Sequence, residues 1–238
     1  MNRLALAPRQ IEVATQRAML KTAHQIKDAE KSEMQRVFDR PTRWTIGSMQ
    51  VKVVRNMEIK VGIVDPEGAY KRAQSYLGTQ VDGGARRQKA MERALAGAGL
   101  LPTGWYMVPG AGAKLDQYGN MSVGQIKQIL SWFDAANRSA GSQQNMGQAG
   151  RDRRRKGTRT RVGFEYVAIV PGRGSKLTPG IYQRFFFGMG RSIKPILIFV
   201  SGTRYKPRFD FGRVAQQTYD RVWPVEAAAA IQREIEKL

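Results

Sequence analysis

The chain has 238 residues, and 42% of them are hydrophobic, enough for an ordinary buried core. Its 40 Lys and Arg residues outnumber 19 Asp and Glu residues, which gives a formal charge of +21. This surplus favours a polyanion or an acidic protein surface as the partner and does not choose between them. The sequence contains no cysteine, which excludes disulfides, thiolate metal sites and thiol nucleophiles.

The opening segment, MNRLALAPRQ, lacks the continuous apolar core of a secretory signal. No stretch of the sequence approaches the roughly 20 apolar residues that a membrane-spanning helix needs. Together with the lack of cysteine, this pattern indicates a soluble protein that is made and assembled in a reducing cytoplasm. We expect no membrane partner.

The first predicted element is a long helix over about residues 8–38. This segment has no glycine and no internal proline, and Ile11, Ala14 and Ala18 fall on one face. Pro8 suits a first helical turn, and Pro41 marks the stop. Such a helix would extend about 45 Å, which favours contact of part of it with a neighbouring subunit.

A β-hairpin and several helices are predicted next. Residues 49–54 and 57–64 are rich in β-branched residues in alternation, which is typical of paired strands. Residues 69–77 and 86–96 have helical patterns. Residues 100–115 contain several prolines and glycines, so we expect an ordered loop or connector there. Ser122 is suited to cap a helix that runs through Phe133.

Residues 137–161 are the weakest region for regular structure, since they contain almost nothing apolar to bury. We predict a flexible basic loop that only a partner would order. Its seven basic residues are candidates for contact with DNA or another polyanion, although solvation is the plainer interpretation: Arg151, Arg153, Arg154, Arg155, Lys156, Arg159 and Arg161. No zinc finger, RRM signature or clear helix-turn-helix accompanies them, so base-specific recognition is not expected.

The last third of the chain predicts strands followed by helices. Residues 162–170, 180–187 and 193–200 have strand character and are separated by turns rich in glycine. With the early hairpin they predict one antiparallel sheet of four or five strands. Two closing helices are expected on either side of Pro224. The fold class is therefore α+β, with the whole chain, residues 1–238, forming one domain.

Three consecutive aromatic residues, Phe185, Phe186 and Phe187, lie on one predicted strand. Side chains alternate between the two faces of a sheet, so these rings must occupy both faces. Either a helix of this chain covers the second face, or that face is a subunit interface.

The sequence contains few candidates for catalytic residues. The single histidine, His24, falls inside the first helix, where a packing or solvated role is the expectation. No phosphate-binding loop has the required spacing. A metal-dependent nuclease would need Asp65, Glu67, Asp116 and Glu165 to converge in space. We therefore predict no catalytic residue, no metal and no cofactor.

Four groups of residues occur in a fixed order along the sequence. They are Tyr76, Leu77, Gly83, Gly84, Arg86 and Glu92–Leu95; Val108, Pro109, Leu115, Asp116, Tyr118–Asn120, Gln125, Ile126, Ile129 and Leu130; Pro179–Tyr182, Arg184 and Ile193–Pro195; and Tyr205 with Arg208–Phe211. In this order they resemble the minor tail protein Z family of lambda-like phages and prophages. The resemblance covers most of the chain from about Ala69 onward, and the long first helix agrees with it.

The resemblance implies a non-enzymatic structural component of a tailed-phage virion, at the neck or the head-proximal end of the tail. Its implied partners are the tail tube, the tail terminator and the head connector, and we expect a ring of identical subunits around the DNA conduit. The family supplies no counterpart for the Arg-rich segment. The alternatives are a free, non-specific nucleic-acid-binding protein of genome packaging or regulation, and a virion-associated nuclease or hydrolase.

Overall fold

A computed structural model describes residues 7–64, 73–136, 145–172, 174–202 and 204–237. The chain divides into two compact units: unit 1 combines Met1–Gly84 with Tyr205–Leu238, and unit 2 is Ala85–Arg204. Unit 1 is assembled from both ends of the chain. One domain over residues 1–238 stays a prediction.

The described residues form helices and antiparallel strands, which confirms the α+β class. In chain order the elements are α1 (Pro8–Val37), α2 (Arg43–Gly47), β1 (Met49–Arg55), β2 (Glu58–Ile63), α3 (Ala73–Val81), β3 (Gly84–Ala85), α4 (Ala90–Gly97), β4 (Tyr106–Pro109), α5 (Val123–Trp132), α6 (Gln148–Lys156), β5 (Gly163–Ile169), β6 (Gly180–Phe187), β7 (Gly190–Val200), β8 (Arg204–Tyr205) and α7 (Phe211–Ile235).

Unit 1 is organised by α1 and α7, which pack along each other. Ala14 and Ala18 of α1 meet Ala230 of α7 in a buried cluster, and small side chains allow helices to approach closely. The predicted long first helix is confirmed. The predicted break at Pro224 is wrong, because α7 continues through it. A proline costs an internal hydrogen bond, and here the long contact with α1 offsets that loss.

The β1–β2 hairpin is confirmed, with Val51 opposite Val61 in an antiparallel register. It forms a sheet of two strands by itself, so the prediction that it joins the later strands is wrong. Its inner end packs on a small core in which Met49, Leu77 and Phe209 are buried. Each strand is thus retained by contacts with helices of unit 1.

Unit 2 contains a sheet of four antiparallel strands in the order β4-β7-β6-β5. Three of them match the strands predicted from sequence. The edge strand β4 comes from the segment expected to be an irregular loop, where Pro109 argued against a strand. Pro109 lies at the end of β4, and an edge position tolerates a residue with no N–H to donate.

Glu30 of α1 is fully buried, and neither of its carboxylate oxygens has a hydrogen-bond partner among the described residues. Burial raises the pKa of Glu30 to about 8, and the nearby negative charges of Glu33 and Asp210 contribute to the rise. The folded state therefore retains a proton at pH values where an exposed glutamate has released it.

Glu30 makes the stability of the protein fall as the pH rises. Between about pH 5 and about pH 7.5 the unfolded chain loses this proton and the folded chain keeps it, so the free energy of unfolding should decrease by about 1.4 kcal/mol per pH unit. Urea unfolding across this range should show the trend in the natural protein and its loss in Glu30→Gln. Glu12→Gln, an exposed acid on the same helix, is the control. Parallel pH profiles for the natural chain and Glu30→Gln would contradict this account.

Candidate polyanion-binding site

The Arg-rich segment is a helix and a turn, so the prediction of a flexible loop over residues 137–161 is wrong in its described part. Residues 137–144 lie outside the described residues. Residues 148–156 form α6, and Thr158 pairs with Arg161 in a tight turn. Gly157 joins the two with a φ of 70°, where a Cβ would collide with the backbone oxygen of Arg161.

A buried carboxylate explains why this helix forms. Glu165 of β5 is 4% exposed and lies opposite Arg184 of β6. The Arg184 guanidinium donates to Oε1 of Glu165, and Nε of Arg155 on α6 donates to Oε2 at 2.7 Å. Charged hydrogen bonds of this kind are stronger than neutral ones. One acid therefore fixes α6 on the sheet, a tertiary contact that the local sequence pattern did not reveal.

The seven predicted contact residues separate into two groups. Arg151 and Arg155 are engaged inside the protein, since Arg151 pairs with Asp134 at 2.6 Å and Arg155 pairs with Glu165. Within the described ranges, the remaining five have no carboxylate at ion-pair distance: Arg153, Arg154, Lys156, Arg159 and Arg161. All but Arg154 are exposed. Within the Arg-rich segment, the charge available to a partner thus comes from these five side chains.

A cavity of about 580 Å³ opens beside this surface, within unit 2. Lys114, Arg154 and Arg161 line it, and no Asp or Glu does. Lys114 was missed by sequence analysis, because it is separated from the Arg-rich run by about 40 positions and stands in a segment read only as a loop. Its backbone is held by the start of α5, where Lys114 N donates to Gln125 Oε1 at 2.7 Å.

Aromatic and amide side chains complete the cavity wall. Phe164 and Tyr166 of β5 lie on the same face of the sheet, and the Arg154 guanidinium stands 5.8 Å from the centre of the Phe164 ring. The Tyr166 hydroxyl donates to Gln128 Oε1 at 2.7 Å. Burial raises the pKa of Tyr166, so this hydroxyl stays protonated and neutral at physiological pH.

The three phenylalanines of β6 do occupy both faces of the sheet. Phe185 packs near Phe164, at 6.2 Å between ring centres, while Phe186 has the guanidiniums of Arg184 and Arg191 each 5.8 Å from its ring centre. Phe187 is 52% exposed at the hairpin tip. A subunit interface here stays a prediction.

The acids considered for a nuclease are not assembled into a metal site in the described part of the chain. Asp65 and Glu67 lie outside the described residues. Asp116 accepts backbone N–H donors of Tyr118 and Asn120, and both oxygens of Glu165 are taken by arginines. No group of three or more potential metal ligands occurs among the described residues. His24 is exposed, with Nδ1 3.2 Å from Nζ of Lys27.

Comparison with protein-family models, curated proteins and solved structures finds no match for this chain. Among the described helices, none combines the length and the apolar character that a membrane crossing requires.

Proposed function

We propose that this protein is a structural component of a tailed-phage virion, a neck or tail-completion protein that contacts DNA without reading its sequence. The proposed DNA contact is supported by the five cations on α6 and the following turn. None of the five has a carboxylate partner in the described structure. Because Glu165 holds the helix, these cations are presented by a fixed backbone, which reduces the conformational entropy lost on binding.

The chemistry of the surface suits phosphate. Four of the five cations are arginines, whose planar guanidinium groups match the oxygens of a phosphate with two parallel hydrogen bonds. The nine-residue helix α6 extends about 13 Å, comparable to the spacing of a few phosphates along a strand. The exposed cations show no accompanying base-reading motif, so contact with the backbone alone is expected.

The assignment to a virion is supported by the resemblance of the sequence to the minor tail protein Z family. The resembling segments cover α3 to α4, β4 to α5, and the β6–β7 pair. Of these elements, α4, β4, α5, β6 and β7 belong to unit 2, and β6 contacts α6. In a ring of identical subunits one basic surface becomes many, so weak contacts would add up around a passing genome.

The expected partners are the tail tube, the tail terminator and the head connector, with the protein located in the virion after assembly in the bacterial cytoplasm. The net charge of +21 favours acidic surfaces on those neighbours. The exposed Phe187 and Met189 at the β6–β7 tip supply apolar surface for one such contact.

Duplex DNA binding should be salt-sensitive and should depend on the exposed cations of unit 2. In the combined variant R153Q/K156Q/R159Q, the slope of log K against log salt should flatten by about 0.9 for each phosphate that the protein no longer neutralises. Fluorescence anisotropy over a salt series measures this slope. The matched control is R9Q/K52Q/R221Q, which removes three exposed charges from unit 1. Equal effects of the two variants would show that net charge alone, and not this surface, binds DNA.

The assembly role is tested by electron microscopy of particles made from a phage genome that lacks this coding sequence. We expect normal heads beside separate or defective tails. Complementation with the natural chain should restore joined particles. Intact infectious virions without the protein would contradict the assembly role, and retained DNA binding by the purified chain would then favour the free packaging or regulatory factor.

A further inference from the structure

The cavity beside α6 has the composition of a site for an anion that also has a flat, polar ring. Three cationic side chains face it and no acid does, so their mutual repulsion is not compensated within the cavity. A bound anion would offset the repulsion between these three cations. Phosphate alone would account for the cations, and it would leave the aromatic and amide wall unused.

We infer that this cavity binds one unpaired nucleotide of a single-stranded nucleic acid. Lys114, Arg154 and Arg161 would hold its phosphate, and Phe164 would contact the base, since aromatic side chains stack on bases of every sequence. This inference deepens the proposed DNA contact and rests on it.

The volume supports a nucleotide as the ligand. About 580 Å³ lies within the range of roughly 300–1,000 Å³ that sites for single small molecules occupy. A base inside a duplex is stacked and paired, so it cannot enter such a cavity unless it leaves the helix. The cavity therefore predicts a preference for single strands that the open surface of α6 does not.

The amide groups of the wall can meet the polar edge of a base. Gln183 makes no side-chain hydrogen bond within the described residues, so both its donor and its acceptor are available to a ligand. Gln128, which also lines the cavity, accepts a hydrogen bond from the Tyr166 hydroxyl, and this bond fixes its position. With few such groups, modest sequence preference is expected.

The test compares a short fluorescein-labelled oligothymidylate with a duplex of equal length, using the full chain and anisotropy. Phe164→Leu keeps apolar volume and removes the ring, so it should weaken oligothymidylate binding by about fivefold or more and change duplex binding by less than about twofold. Arg161→Gln should weaken oligothymidylate binding more than Arg159→Gln, which makes the same charge change outside the cavity.

The inference is overturned if Phe164→Leu affects both nucleic acids equally, or if the two arginine variants cannot be distinguished. Should Phe164→Leu fail to fold, an oligonucleotide containing 5-iodouridine can be photocrosslinked to the natural chain. A crosslink in the tryptic peptide that begins at Val162 supports the site, and crosslinks confined to other peptides overturn it. Absence of duplex binding by the natural chain would instead remove the proposed DNA contact as a whole.

Discussion

The contact between Glu165 and two arginines is the interaction on which the position of α6 in unit 2 depends. Nearly all of the basic side chains proposed to meet DNA belong to a segment that has little apolar surface of its own. Burying one carboxylate against Arg155 and Arg184 gives that segment a fixed position on β5 and β6. Burying an unpaired carboxylate would destabilise the folded state. Glu165 can therefore be buried only because the two arginines pair with it.

The basic residues of the Arg-rich segment divide into those paired inside the protein and those exposed to a partner. Arg151 and Arg155 neutralise acids of the protein, while Arg153, Lys156 and Arg159 remain exposed for a partner. The net charge of +21 already counts the acids in these pairs, so it is the positive charge that remains after internal pairing. A run of basic residues in a sequence thus contains two functions that only the fold can distinguish.

Local patterns predicted most of the elements, and contacts distant in sequence decided the rest. The long first helix, the β1–β2 hairpin and the Ser122 cap were predicted correctly, because each depends on spacing or on one side chain. The helical state of α6 could not be predicted, since its partner Glu165 lies beyond a turn. Continuation of α7 through Pro224 and the strand at β4 likewise depend on neighbours. Lys114 lines the cavity only because the tertiary structure brings its segment next to α6 and β5.

The substitution Glu165→Gln tests most directly whether the carboxylate positions α6, the helix proposed to contact DNA. It adds one unit to the net charge of +21, so charge alone would strengthen duplex binding. We expect the opposite if Glu165 holds α6 in place: hydrogen exchange should show that the amides of α6 lose protection while β6 and β7 keep theirs, and duplex affinity should fall several-fold. Unchanged protection of α6 together with equal or tighter DNA binding would contradict it.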